Sequence, residues 1–92
     1  MKELLLNVSE LPPPEPMIEI LSALANLPEK HYLKVFHSRV PYPLFERLSE
    51  NNWGYHYQQD QQNIGVTLYI FRQADQHSFN ALTLSNNIGE AP

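Results

Sequence analysis

His37 and Arg39 stand two residues apart, and a carboxylate, Glu15, sits inside the proline run Leu11-Pro12-Pro13-Pro14-Glu15-Pro16. An imidazole can move a proton or donate a hydrogen bond near neutral pH, and a guanidinium can hold an anion in a fork of N–H groups. Together with the rigid backbone of Pro13, Pro14 and Pro16, these residues are the candidate ligand-binding set, and the ligand they suit is a small anion. Each also has a purely structural use. His37 can be a satisfied histidine at the edge of the core. Arg39 can be solvated, or paired with Glu15 or Glu46. Glu15 can complement a helix dipole, and prolines at that place can be a rigid helix start.

Other chemistries find no residues to carry them. The chain has no cysteine, which removes disulfides, thiolate metal sites, iron–sulfur clusters and a thiol nucleophile. His31, His56 and His77 have no metal-ligand spacing, so neither a metal nor a cofactor is expected. Ser9 and Ser38 lack a base and acid to activate them, and the three glycines make no phosphate loop. No catalytic residue is assigned. The net charge of −4, with six scattered Lys and Arg, argues against nucleic acid and against a membrane surface as partner. The N-terminus shows no signal-peptide pattern, and its longest apolar run is Leu4-Leu5-Leu6, so a cytoplasmic protein is expected.

These candidates need elements to position them. Residues 3–8 read as a strand with Leu4, Leu6 and Val8 on one face. Met17, Ile20, Leu21, Leu24 and Leu27 follow helical spacing after Pro16, and Pro28 stops the helix. Residues 31–37 form a strand with Leu33 and Val35 on one side and Tyr32, Lys34 and Phe36 on the other. A short helix runs from about Pro43 to Glu50 and ends at Asn51-Asn52, because Asn tolerates the left-handed conformation. Residues 53–59 place Trp53, Tyr55 and Tyr57 on one face. A polar turn over 60–63 leads to a strand over 64–72, in which Ile64, Val66, Leu68 and Ile70 alternate with Thr67, Tyr69 and Phe71.

The order β-α-β-α-β-β predicts an α+β two-layer sandwich, with a four-stranded mixed sheet and two helices on one face. Right-handed crossovers would set the first two strands parallel and bring loops 9–16 and 38–43 side by side, with both helix N-termini at the same edge. The domain spans 1–72, and 73–92 is a C-terminal tail in which Asn80 to Ser85 alternates weakly enough to suggest an extra strand. The sheet face away from the helices carries Tyr32, Phe36, Tyr69 and Phe71, a patch that needs a cover. The tail, with Phe79 and Leu82 as anchors, a second copy, or another protein would supply it. These five aromatics, Phe79 included, are the candidate partner or dimer surface.

The element order and the Leu-x-x-Pro-x-Pro segment resemble the TusA/SirA sulfur-carrier fold, with Pro14-Glu15-Pro16 matching the signature and Pro13 at the cysteine position. The sequence resembles more closely an uncharacterised bacterial family, domain of unknown function 2249. The matching segments are Leu11 to Pro16 and His37-Ser38-Arg39-Val40-Pro41-Tyr42-Pro43-Leu44, and the resemblance covers about residues 3–72. Members of that family occur beside or fused to hemerythrin-like domains and in nitrogen-oxide and anaerobic respiration contexts. The resemblance therefore implies an accessory or regulatory module, and persulfide relay is excluded for want of a thiolate. Three functions remain open: a non-catalytic binding or regulatory module, a small-anion or metabolite site at the loop edge, enzymatic or not, with His37 as acid/base or ligand donor, and a structural homodimer.

Overall fold

Strict alternation in two strands builds the centre of the molecule. In β2 (His31–His37), Leu33 and Val35 face one side, and in β4 (Val66–Arg72) Val66, Leu68 and Ile70 face the same side. The structure is a computed structural model that describes residues 1–59, 62 and 65–86, with the backbone alone for 83–86. Asp60, Gln61, Asn63 and Ile64 of the expected turn and strand start, the side chain of Leu84, and Ile88 lie outside the described residues. The sheet is completed by β1 (Lys2–Asn7) and β3 (Trp53–Gln59), in the order β1-β2-β4-β3. β1 runs parallel to β2, with Leu4 opposite Leu33. β4 is antiparallel to both β2 and β3. The expected mixed four-stranded sheet and α+β sandwich are therefore present, and β1 and β3 are its edges.

Helices α1 (Glu15–Ala25) and α2 (Tyr42–Glu50) cover one face. Ile20 and Leu24 of α1 and Leu44, Phe45 and Leu48 of α2 join Val8, Leu33, Val35, Leu68 and Ile70 in the main core. Each such side chain contributes about 1.5–3 kcal/mol on burial. Helix α2 ends as its sequence requires: Asn51 caps it and Asn52 takes φ 64°. Arg72 clamps the far end of the sheet. Its guanidinium donates to the carbonyls of Leu27 and Pro28 and lies over the Trp53 ring, 5.4 Å from its centroid.

The opposite face differs from the simplest two-layer picture. After a single 3-10 turn (Gln73–Asp75), residues Gln76–Asn86 form a third helix, α3. The segment 80–85, whose weak alternation left strand, helix and dimer arm all open, is helical. β4 is flanked by β2 and β3, so a following strand has no free edge beside it, and a three-residue connector keeps the chain over the sheet face. Phe79, 2% exposed, stacks on Phe71 at 4.3 Å and meets Tyr32 edge-on at 5.4 Å. With Tyr69 these rings form a second core, flanked by Met1 and Leu82. Gly54, opposite Phe71 on β3, leaves room for that ring; a Cβ there would fall within 2.8 Å of Phe71 Cζ. No helix among the described residues is long and apolar enough to cross a membrane.

Candidate functional site

The parallel pairing of β1 and β2 brings loops 9–16 and 38–43 to one edge, as their sequence order requires. What they present there is narrower than the residue types suggest. His37 is 7% exposed, and its Nδ1 accepts the backbone N–H of Arg39 at 3.2 Å. The neutral ring therefore carries its proton on Nε2. Burial, and secondarily the charge of Arg39, lower the His37 pKa below its ordinary 6.5. A neutral histidine with Nδ1 engaged holds the β2–α2 turn together, which is a structural use.

The helix N-termini are the second part of the expected anion site, and the prolines change them. A helix start has four N–H groups without an intrahelical partner. At α2, Pro41 and Pro43 have no N–H, Tyr42 donates to Val40 O, and Leu44 donates to Pro41 O at 3.0 Å. At α1, Pro14 and Pro16 have none and Glu15 donates to Pro12 O. Met17 alone neither lacks the group nor makes one of these bonds. The residues that bring both helix starts to one edge thus take away most of the donors an anion would need. Pro16 is buried, whereas Pro13, Pro14, Glu15 and Arg39 are exposed, and the Pro13-Pro14 bond is cis. Glu15 and Arg39 are not ion-paired with each other.

The candidate partner surface is placed differently again. Tyr32, Tyr69, Phe71 and Phe79 are buried by the chain itself, so they are unavailable to a second copy while α3 is docked. Phe36 is half-buried, with Lys34 Nζ 5.6 Å from its ring centroid. The hydroxyl of Tyr32 donates to Glu3 Oε1 at 2.8 Å, and burial followed by that bond raises its pKa. Burial raises that of Tyr69 as well.

An open aromatic surface exists elsewhere, between α2 and the edge strand β3. A groove of about 410 Å³ is lined by Tyr42, Phe45, Glu46, Ser49, Glu50 and Tyr55. Its floor is a stack: Phe45 lies flat on Tyr55 at 4.2 Å and on Tyr57 at 5.2 Å. Tyr42 stands edge-on to Phe45 at 6.0 Å and is 65% exposed. Glu46 and Glu50 rise on the same side, one turn apart. The signal was in the sequence as a second helical stripe, 42-45-46-49-50, beside the core positions Leu44 and Leu48. Only the fold shows that Tyr55 and Tyr57 continue it across to β3.

Among the described residues no group of three or more His, Cys, Asp or Glu is arranged to hold a metal ion. A family model described as "Uncharacterized conserved protein (DUF2249)" matches residues 5–76. No curated protein and no solved structure matches the chain.

Proposed function

The chain belongs to that DUF2249 family, and from this premise we propose that it is a non-catalytic binding module whose working surface is the α2–β3 groove. One observation carries the proposal. Phe45, anchored in the core, stacks on Tyr55 and Tyr57 and meets Tyr42 edge-on, and the fold leaves Tyr42 and Tyr57 exposed and Tyr55 half-buried around it. Exposed aromatic surface of this kind, rimmed by polar groups, marks interaction sites. The resemblance of its proline motif to the TusA/SirA carriers, with Pro13 at the cysteine position, would fit a docking role without sulfur chemistry.

The test is a chemical-shift screen of the isotope-labelled full chain against short peptides of four classes: neutral, acidic, basic and aromatic. At least one class is expected to move Tyr42, Phe45, Tyr55 and Tyr57 together, in a saturable way. If no class moves them, the groove is not a binding surface.

A second function rests on Arg39, which is exposed at the loop edge and close enough to His37 to act on its charge state. There the ligand is a small anion held by the guanidinium of Arg39. Titration with phosphate and sulfate would move both Arg39 and His37. Absence of shifts at Arg39 removes this alternative.

A further inference from the structure

We infer that the α2–β3 groove receives an arginine side chain from an extended segment of a partner protein; this rests on the groove being the binding surface. Three features of the groove select that chemistry.

The first is charge. The six lining residues include two carboxylates and no Lys or Arg. Glu46 and Glu50 are four apart on one helix, a spacing at which like charges repel. Glu50 is the last residue of α2, where the helix macrodipole already disfavours an anion. Among the described residues neither carboxylate has an ion-pair partner. A cation in the groove relieves all of this at once.

The second is the aromatic wall. Ring faces attract cations, and a flat guanidinium can stack on an exposed tyrosine while its edge donates to carboxylates. Tyr42 supplies such a ring one helical turn before Glu46, which in turn lies one turn before Glu50. An arginine stacked on the exposed ring of Tyr42 can donate to both carboxylates. A quaternary ammonium has no N–H to donate, and it favours a closed aromatic cage rather than an open groove.

The third is the edge strand. Tyr55, which lines the groove, belongs to β3, and among the described residues β3 pairs only with β4. Its other main-chain edge can hold an extended polypeptide while one side chain enters the groove. That favours an arginine carried on a chain over a free amine.

The experiment titrates the labelled full-length protein with the peptide acetyl-Gly-Gly-Arg-Gly-Gly-amide. The same peptide with citrulline and tetramethylammonium serve as controls. Saturable shifts are expected at Tyr42, Glu46, Glu50 and Tyr55 with the arginine peptide, with affinity at least about tenfold weaker for both controls. The double variant E46Q/E50Q, altered at exposed positions, is expected to lose about tenfold in affinity while keeping the parent spectrum elsewhere. Y42A is a second variant with the same expected direction. Equal binding of the citrulline peptide, or unchanged affinity in E46Q/E50Q, overturns the assignment of arginine. Tetramethylammonium binding as tightly as the peptide overturns the assignment of a polypeptide. A neutral aromatic peptide that occupies the groove when the arginine peptide does not overturns the arginine but leaves the groove a binding surface. Silence from every peptide removes both.

Discussion

The loop edge and the α2–β3 groove carry similar numbers of reactive-looking side chains, yet the fold treats them oppositely. At the loop edge His37 is turned inward onto the N–H of Arg39, and prolines or local bonds take up the amides of the two helix starts. In the groove the rings and carboxylates point outward, and only the floor of the stack is engaged with the core. Residue type alone favours the first region. The accounting of donors and acceptors favours the second.

The contrast can be broken at several points. The largest effect is expected from Phe45→Ala, which removes the floor of the groove and a core side chain together. It should cost about 3–5 kcal/mol in urea denaturation, and loss of under about 1 kcal/mol would mean that the stack is not anchored in the core. Gly54→Ala should cost about 1–3 kcal/mol by forcing Phe71 off Phe79. Near-ultraviolet circular dichroism should report the displaced rings, and an unchanged aromatic signal would contradict the packing described for α3.

A smaller effect tests whether His37 is structural. Its folded pKa lies below the unfolded value of 6.5, so the unfolded chain binds the proton more readily. The contribution to stability is present in full above about 6.5 and is lost as pH falls from there toward the folded value. His37→Asn keeps an acceptor for the Arg39 N–H but does not titrate. Denaturation midpoints between pH 7.5 and 5.5 should therefore fall more steeply in the parent than in this variant, and parallel curves would remove His37 from the buried network. Smallest of all, Glu50→Gln should raise stability by about 0.3 kcal/mol through relief of the like-charge pair and the helix dipole. A fall in stability would show that Glu50 has an internal partner.

The sequence made the sheet legible where the period was clean. Leu33 and Val35, and Leu68 and Ile70, each fix a face by alternation alone. The adjacency of the two loops then followed from parallel β1–β2 pairing. Asn52 announced the end of α2, because few other residues accept its φ. Two things were hidden for definite reasons. Residues 80–85 alternate as a strand would, and only the enclosure of β4 between two neighbours decides for a helix. The groove joins a helix stripe to a strand face, and sequence spacing describes each element separately without saying which strand lies under α2. That the face with Tyr32, Tyr69 and Phe71 needs an apolar cover was legible, but whether the tail, a second copy or another protein supplies it was not; Phe79 and Leu82 of the tail do.

One sample decides between the two regions most directly. Isotope-labelled full-length protein is titrated first with phosphate and then with the arginine peptide, and backbone and side-chain shifts are followed at Arg39, His37, Tyr42, Glu46, Glu50 and Tyr55. The structure predicts that phosphate leaves His37 and Arg39 where they are and that the peptide moves the other four along one saturable curve. Saturable phosphate shifts at His37 and Arg39, with a silent groove, would place the working surface at the loop edge instead.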